Sequence, residues 1–265
     1  MIVTTSVKPS ETLLTQARRL SRQLDIPLVA RRNATVRKLV GEQTNRRVIV
    51  VTEEGVRFYD GNGNQPDTPL FYHPSMALVR VKRLRAGESD PLIAYSGCSR
   101  GDAVLDCTAG LCADSLVFAY AAGAEGNVTA LESEPVLHAI VSEGLATYES
   151  GLPDVDAAMR RISLQCRNHA DYLEQQPDNS VDIVYFDPMF RRPVYESSSI
   201  GAIRTVANSG ALLPEAIGHA KRIARKSVVL KEQYGSEEFE RLGFLELPSK
   251  KSTKIAYGVI QVGEG

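Results

Sequence analysis

From residue 101 onward, short apolar runs alternate with amphipathic stretches. The runs have the length and composition of buried strands, and the amphipathic stretches have the apolar spacing of helices. This pattern predicts strands over 103–107, 127–131, 162–166, 180–186 and 227–230, with helices over 114–122 and 135–148. Two more apolar runs, 244–247 and 255–262, predict an antiparallel hairpin. Strands that alternate with helices favour an α/β fold with a doubly wound, mostly parallel, seven-stranded sheet that ends in this hairpin.

The first part of the chain has a different pattern, typical of a small α+β unit. Ser10 stands where a helix cap is expected, and apolar residues recur after it at helical spacing. Residues 46–59 predict a β-hairpin, and residues 70–85 predict the end of a strand followed by a basic helix. We therefore expect an N-terminal α+β extension over 1–75 and a larger domain over 76–265.

Composition narrows the class of protein. With 43% hydrophobic residues the chain can form a core, which excludes disorder as its main state. No apolar run approaches the ~18–20 residues of a membrane span, and the N-terminus lacks the basic and apolar segments of a secretory signal. Four cysteines without a Cys-x-x-Cys pair are more typical of reduced thiols than of zinc or a redox pair. We expect a cytoplasmic protein with no metal and no membrane partner.

Charge is distributed unevenly along a chain whose formal net charge is only −1. Residues 1–100 contain 16 Lys and Arg against 9 Asp and Glu, whereas the rest of the chain is acidic. A basic segment of this kind is typical of contact with a polyanion. Arg80, Lys82 and Arg83, just before the first predicted strand of the sheet, are candidates for binding such a substrate. A solvated helix face is the alternative for each of them.

In a doubly wound sheet a ligand binds beyond the carboxyl ends of the strands. The first predicted strand ends at Asp106, and the turn after it contains Gly110, where backbone can approach a ligand closely. Asp114 opens the next helix, and Glu132 ends the second strand, 22 residues after Gly110. An acid at that offset can accept hydrogen bonds from both ribose hydroxyls. Asp171, after the third strand, can accept from an adenine amino group or can cap a helix.

The charges around this turn distinguish between two nucleotide cofactors. The G-x-G-x-x-G spacing of dinucleotide-binding turns is absent, because Cys112 takes the place of the second glycine. A pyrophosphate would also lie against Asp106 and Asp114, where like charge opposes it. The sulfonium and ammonium groups of S-adenosylmethionine would be attracted instead. We therefore predict S-adenosylmethionine rather than NAD. The alternative is a purely structural turn, with Asp114 complementing the helix dipole.

The strongest chemical signal follows the fourth predicted strand, where the chain reads Asp187-Pro188-Met189-Phe190. This segment resembles the (Asp/Asn)-Pro-Pro-(Tyr/Phe) motif of methyltransferases that modify exocyclic amines. Asp187 and the carbonyl of Pro188 can accept the two N–H bonds of such an amine, which turns its lone pair toward the methyl donor. Phe190 can stack on a flipped-out base, and the alternative is a turn-initiating Asp-Pro with a core Phe. Further substrate contacts are expected from Met189, Arg191 and Arg192.

Two segments together resemble a narrower family. Asp106-Cys107-Thr108-Ala109-Gly110-Leu111, followed by Ala113-Asp114, and the Asp187 segment are similar to the D-A-T-A-G-L-G-R-D and D-P-M-F segments of the RsmJ-type ribosomal RNA guanine-N2 methyltransferases. The resemblance covers about residues 70–265. It implies a class I, Rossmann-like methyltransferase fold that modifies guanosine N2 in small-subunit ribosomal RNA.

The same resemblance implies which residues contact the cofactor. These are Ala113, Asp114, Glu132, Ser133, Ala170, Asp171 and Asp187. The chain departs from the family pattern at three of these places, where the family has an Arg, another Arg and a Ser pair. The residues that stand there instead are Ala113, Ser133 and the pair Ala170-Asp171.

Three other functions are open on the sequence. A methyltransferase of a small-molecule or protein amine is disfavoured by the basic segment and by Phe190. A non-catalytic RNA-binding relative is disfavoured because Asp187-Pro188 and Glu132 are all present. An NAD-dependent oxidoreductase is disfavoured by the missing glycines. The expected partner is RNA, either ribosomal RNA or the small ribosomal subunit, and the sequence predicts no oligomeric state.

Overall fold

The structure, a computed structural model, describes residues 1–62, 68–188, 210–248 and 254–263. The chain divides into two compact units. The first contains Met1–His73 and Pro135–Tyr148, and the second contains Pro74–Glu134 together with the described residues from 149 onward. The division after His73 falls two residues before the predicted boundary. A helical segment from the middle of the predicted larger domain is grouped with the N-terminal unit.

Helices and strands are numbered in chain order. Within the described residues, the strands are β1 (Ile2–Thr5), β2 (Arg47–Thr52), β3 (Gly55–Asp60), β4 (Leu70–Phe71), β5 (Ala103–Asp106), β6 (Asn127–Glu132), β7 (Ile162–Cys166), β8 (Val181–Phe186), β9 (Ala224–Gln233), β10 (Leu245–Glu246) and β11 (Ile255–Gln261). The helices there are α1 (Glu11–Gln23), α2 (Val36–Glu42), α3 (Ser75–Arg85), α4 (Pro91–Ser96), α5 (Ala113–Ala122), α6 (Pro135–Thr147), α7 (Pro153–Arg161), α8 (His169–Gln175), α9 (Pro214–Ile223) and α10 (Glu237–Arg241). None of these helices has a stretch long and apolar enough to cross a membrane.

The N-terminal unit is built on a sheet with the strand order β1-β2-β3-β4. The predicted first helix is confirmed, because the Ser10 side chain caps α1 by accepting a hydrogen bond from Leu13 N at 3.3 Å. The predicted hairpin is confirmed as the antiparallel pair β2 and β3. The parallel pairing of β1 with β2 is not indicated by the sequence. All four residues of β1 are buried, so this short strand lacks the alternation that marks a half-exposed strand.

The second unit is built on a sheet that has, among the described residues, seven strands in the order β10-β11-β9-β8-β5-β6-β7. Strands β5 to β9 run parallel to one another, and β11 and β10 add an antiparallel edge. This confirms the predicted doubly wound, mostly parallel sheet with a C-terminal hairpin. The strand interiors 104–105 of β5, 183–186 of β8 and 228–230 of β9 are apolar and buried, as expected for strands in the middle of a covered parallel sheet.

The strand order reverses next to β5, and this reversal positions the site. The chain passes from β5 to β6 and β7 on one side, then returns to β8 on the other side of β5. In open α/β sheets, ligands bind beyond the carboxyl ends of the strands at such a reversal. The site is therefore expected beyond Asp106 and Phe186, the last residues of β5 and β8.

Strand β9 is longer than the apolar run that predicts it, which ends at Leu230. The next residue, Lys231, is polar, so the hydrophobic pattern stops before the strand does. The strand continues because β11 pairs with it, and Tyr257 lies opposite Lys231. On the other side Phe186 lies opposite Leu230. This register brings Lys231 beside Asp187, the first residue after β8.

Candidate active site

The turn between β5 and α5 has an open backbone at its glycine. Gly110 has φ +51°, and a Cβ placed there would meet no atom of the described residues within 4 Å. The left-handed conformation therefore favours glycine, and no described residue fills the space over its backbone. The turn is fixed to the neighbouring strand because Ala109 N donates to Leu131 O at 3.0 Å. A ligand can approach the Gly110 backbone closely, as the sequence predicts.

Asp106, the last residue of β5, is buried beneath this turn, with only 1% of its surface exposed. One carboxylate oxygen accepts from Thr108 N at 3.0 Å, and the other accepts from Ser115 Oγ at 2.5 Å. Burial raises the pKa of Asp106 to about 7, although these two bonds oppose the rise. Through these two hydrogen bonds, Asp106 stabilises the turn between β5 and α5. Its contact with a cofactor stays a prediction.

Glu132 ends β6 and lies next to the glycine turn. Its Oε1 accepts from Glu134 N at 2.8 Å. Burial raises the pKa of Glu132 to about 7, and the backbone N–H groups of Glu134 and Gly110 partly offset this rise. The structure thus brings together Glu132 and Gly110, the two residues whose spacing predicts a ribose contact. Whether ribose binds there stays a prediction.

The raised pKa values of Asp106 and Glu132 give an expected pH dependence of stability. Their ordinary values lie near 4, so at pH 5–7 the unfolded chain has lost protons that the folded protein retains. Stability falls with rising pH wherever the folded state binds more protons. We expect the melting temperature of the ligand-free protein to fall between pH 5 and pH 8. Glu132→Gln should flatten this slope, as measured by thermal unfolding across that range, and parallel curves for the two proteins would contradict the assigned burial.

Asp187 follows β8 and is held from two sides. Its backbone N donates to Thr108 Oγ1 at 2.6 Å, which ties it to the turn after β5. Its Oδ2 accepts from Lys231 Nζ at 2.7 Å. Burial raises the pKa of Asp187 to about 6, although the charge of Lys231 opposes the rise. The side chain remains 26% exposed, so a substrate can reach it from the carboxyl edge of the sheet.

Asp114, in the first turn of α5, is the centre of a buried ion cluster. Its Oδ1 accepts from the Arg80 guanidinium, and its Oδ2 accepts from Tyr185 Oη at 2.7 Å and from Lys231 Nζ at 2.8 Å. Burial would raise the pKa of Asp114, but Lys231 and Arg80 outweigh burial and hold that pKa well below its usual range. The protein itself therefore supplies two cations to this carboxylate. Its contact with the cofactor stays a prediction.

Arg80 has a structural position in the same cluster. Its Nε and Nη2 donate to the two carboxylate oxygens of Asp90, both at 2.8 Å, while Nη1 donates to Asp114. Its side chain is only 21% exposed, so an RNA phosphate would compete with two buried carboxylates for the guanidinium. Lys82 and Arg83, on the same helix, are exposed. Arg83 Nε donates to Glu88 at 2.8 Å, a surface pair that leaves the arginine accessible.

The other sequence candidates have simpler surroundings. Ala113 and Ser133 are half-buried, directly after the β5 turn and after Glu132. The side chain of Asn168 caps α8, accepting from Ala170 N at 2.8 Å, so the capping alternative for Asp171 is wrong. Asp171 lies exposed in the first turn of that helix. Pro188 is half-buried after Asp187. Four candidates lie outside the described residues, namely Met189, Phe190, Arg191 and Arg192.

Three residues of the site are not found by sequence reasoning. Lys231 directly follows the apolar run of a parallel strand. A cation at that position could have been identified from the sequence as a candidate for the site. Tyr185 lies two residues before the Asp187-Pro188 motif, in an apolar run that does not show that its hydroxyl reaches Asp114. Thr108 lies inside the β5 turn, and only the fold brings its hydroxyl to the Asp187 backbone.

The residues present fit S-adenosylmethionine. Glu132 offers a carboxylate for a ribose diol beside the open backbone of Gly110, and Asp106 and Asp187 add negative charge at the same edge of the sheet. A cofactor with two cationic groups is compatible with this set, whereas a pyrophosphate is repelled by it. Across the described ranges, no group of three or more His, Cys, Asp or Glu side chains is placed to hold a metal ion.

Solved structures of methyltransferases resemble the chain at low sequence identity. TrmN from Thermus thermophilus is 14% identical with a TM-score of 0.45, covering 98% of this chain and 71% of TrmN. A SAM-dependent methyltransferase from Aquifex aeolicus is also 14% identical, with a TM-score of 0.43 and coverage of 72% of this chain and 98% of that one.

Sequence relatives cover the chain more fully. YpiP of Bacillus subtilis (strain 168) is 39% identical over 260 residues, which are 98% of this chain and 99% of YpiP. Ribosomal RNA small subunit methyltransferase J of Thioalkalivibrio sulfidiphilus (strain HL-EbGR7) is 27% identical over 243 residues, 86% of each protein. The family model of SAM-dependent methyltransferases, SAM_MT, matches residues 33–238. The chain therefore belongs to the family of SAM-dependent methyltransferases, with S-adenosylmethionine as its methyl donor.

Proposed function

We propose that this methyltransferase modifies an exocyclic amine of a nucleobase in RNA, specifically guanosine N2 in small-subunit ribosomal RNA. The observation that carries the proposal is the position of Asp187 at the carboxyl end of β8. Its backbone is fixed by Thr108 and its carboxylate by Lys231, yet its side chain remains accessible. An acidic acceptor held in this way is what a poorly nucleophilic amine requires.

The chemistry follows from the electronic structure of the amine. The nitrogen lone pair of guanine N2 is delocalised into the ring, so the nitrogen attacks poorly unless it is reoriented. Asp187 and the carbonyl of Pro188 accept its two N–H bonds and turn the lone pair out of the ring plane. When bound, S-adenosylmethionine supplies a methyl group on a positively charged sulfur. Alignment of nitrogen, methyl and sulfur then lowers the barrier through proximity.

The Asp187 carboxylate also acts after the methyl group has moved. The nitrogen forms a bond to the methyl carbon, the carbon–sulfur bond breaks, and the sulfur keeps the electron pair. The nitrogen is then positively charged and returns to neutrality by losing one proton. A carboxylate with a pKa of about 6 stabilises this charge and can accept the proton near neutral pH.

Two observations and one set of proposed contacts support RNA as the substrate. The first hundred residues carry an excess of positive charge, and Lys82 and Arg83 are exposed on α3. Phe190, Arg191 and Arg192, which follow the Asp187-Pro188 pair, are proposed to stack on the flipped base and to bind its phosphates. The relative from Thioalkalivibrio sulfidiphilus is named for ribosomal RNA methylation. The proposed target also places the protein in the cytoplasm.

Mass spectrometry of ribosomal RNA nucleosides tests this function. We expect cells that lack the gene to lose one N2-methylguanosine from small-subunit RNA, and a plasmid copy of the gene to restore it. A copy with Asp187→Ala should not restore it, although the variant is expressed. Unchanged nucleosides in the deletion strain would contradict an rRNA target, and full restoration by the variant would contradict the role of Asp187.

A further inference from the structure

Lys231 occupies a place in the site that the proposed chemistry has not yet used. It extends from the second half of β9, with only 15% of its side chain exposed. Its Nζ bridges two carboxylates, lying 2.7 Å from Asp187 Oδ2 and 2.8 Å from Asp114 Oδ2. One ammonium group therefore joins the proposed amine acceptor to the buried ion cluster.

The charged and titratable groups around Lys231 come from five elements. Asp187 after β8, Asp114 in α5 and Tyr257 in β11 act on Lys231 directly. Tyr185 in β8 and Arg80 in α3 contact Asp114, and Asp106 in β5 acts on Asp187. Burial raises the pKa of Tyr257 to about 12 and raises that of Tyr185 well above its usual value, so both phenols are neutral near pH 7. Among the residues that the structure describes, the hydrogen-bonded cluster of Asp90, Asp114 and Asp187 has three carboxylates and two cations, Arg80 and Lys231.

We propose that Lys231 is a positioning residue for methyl transfer: its ammonium fixes one carboxylate oxygen of Asp187 and keeps this residue ionised so that it can accept from the substrate amine. This inference rests on the proposed function. Arg80 is bound by Asp90 and Asp114, so Lys231 is the cation that reaches Asp187 among the contacts of this cluster. A protonated Asp187 would donate a hydrogen bond and could no longer accept both of its partners.

The size of the effect follows from charge. An opposite charge within about 4–6 Å lowers the pKa of an acid by about 1–3 units. Without Lys231, the three carboxylates would share a single cation, and the pKa of Asp187 should rise from about 6 by about 1–3 units. At pH 7 the ionised fraction of Asp187 would then fall from about nine-tenths to between about one-half and about one-hundredth, and methyl transfer would slow about 2- to 90-fold.

The test is a carboxyl carbon NMR titration of Asp187 in the full-length protein bound to S-adenosylhomocysteine, with the resonance assigned from Asp187→Asn. Lys231→Gln should raise the apparent pKa of Asp187 by about 1–3 units. Lys231→Arg keeps the charge and should leave that pKa near the wild-type value, while its planar head lowers kcat by misplacing the carboxylate. The acid limb of the kcat profile should shift with the pKa in Lys231→Gln.

The matched control is Lys226→Met. Lys226 belongs to the same strand and also binds a carboxylate, with Nζ 2.7 Å and 2.8 Å from the oxygens of Asp102, but it lies outside the site. This variant should keep both the wild-type pKa of Asp187 and the wild-type pH profile. The positioning role is refuted if Asp187 titrates at the same pH in Lys231→Gln and in the wild type.

A second variant decides the matter if Lys231→Gln does not fold. Lys231→Met removes the charge but keeps a side chain of similar length, so it should raise the pKa of Asp187, and an unmoved pKa refutes the proposal. The RNA methylation assay and the Asp187 titration together distinguish failure of the proposed function from failure of the positioning role. If the wild type leaves ribosomal RNA unmethylated while the Asp187 pKa still follows Lys231, only the function is refuted. If the enzyme methylates RNA but replacement of Lys231 leaves the pKa of Asp187 unchanged, only the positioning role is refuted.

Discussion

Replacing Asp187 by alanine should lower kcat for methyl transfer by about 10²–10³-fold, the usual cost of removing one preorganised group from a polar active site. The amine would lose the acceptor that orients its lone pair and stabilises its developing charge. Binding of S-adenosylhomocysteine should change little, because Gly110 and Glu132 remain in place. Single-turnover kinetics and calorimetric titration of S-adenosylhomocysteine measure the two effects separately.

Asp178→Ala is the matched control for this experiment. Asp178 lies in the loop before β8 and pairs with Arg222 at the surface, with 70% of its side chain exposed. Its replacement should leave both kcat and cofactor affinity at wild-type values, since exposed ion pairs contribute little. An Asp187→Ala enzyme with wild-type kcat would contradict the role assigned to Asp187. Loss of S-adenosylhomocysteine binding in Asp187→Ala would instead indicate that Asp187 contacts the cofactor rather than the substrate amine.

The fold could be predicted from the sequence where apolar runs and amphipathic stretches alternate clearly. The buried runs of β5, β6 and β8 predict a parallel sheet, and the structure confirms it. The grouping of α6 with the N-terminal unit could not be predicted. It depends on tertiary interactions between segments more than sixty residues apart, such as the 2.7 Å hydrogen bond from Gln16 Nε2 to Glu143 Oε2, and local patterns contain no such information.

The site was predictable to the extent that strand ends reveal it. Asp106, Glu132 and Asp187 each end or follow a predicted strand, and the structure brings them to one edge of the sheet. The partners of these acids could not be predicted. The contact between Asp114 and Lys231 joins residues 117 positions apart, and it forms only because β9 continues past its apolar run. The acidic residues of the site could therefore be identified from the sequence, whereas the cations that pair with them were identified only in the structure.

Replacing Arg80 by methionine should destabilise the folded protein by about 3–5 kcal/mol, as expected when one partner of a buried ion pair is removed. Asp90 would keep its helix-capping bond from Leu92 N at 3.0 Å but would lose both guanidinium contacts. Asp114 would keep Lys231 and Tyr185 only. Urea unfolding followed by circular dichroism measures the loss of stability.

Arg83→Met separates this structural role from a role in RNA binding. Arg83 lies three residues further along α3 with 61% of its side chain exposed, and it pairs only with Glu88 among the ion pairs of the described residues. Its replacement should change stability by less than about 1 kcal/mol and should weaken RNA binding with a reduced salt dependence. Equal stability of Arg80→Met and Arg83→Met would contradict the buried cluster around Asp114.

The most direct measurement is a methyl-transfer reaction with purified protein, radiolabelled S-adenosylmethionine and small ribosomal subunits from cells that lack the gene. We predict that the ribosomal RNA becomes labelled, that its digestion releases labelled N2-methylguanosine, and that Asp187→Ala leaves the RNA unlabelled. Label that appears in ribosomal proteins instead of RNA, or equal labelling by the variant, would contradict an RNA amine bound at Asp187.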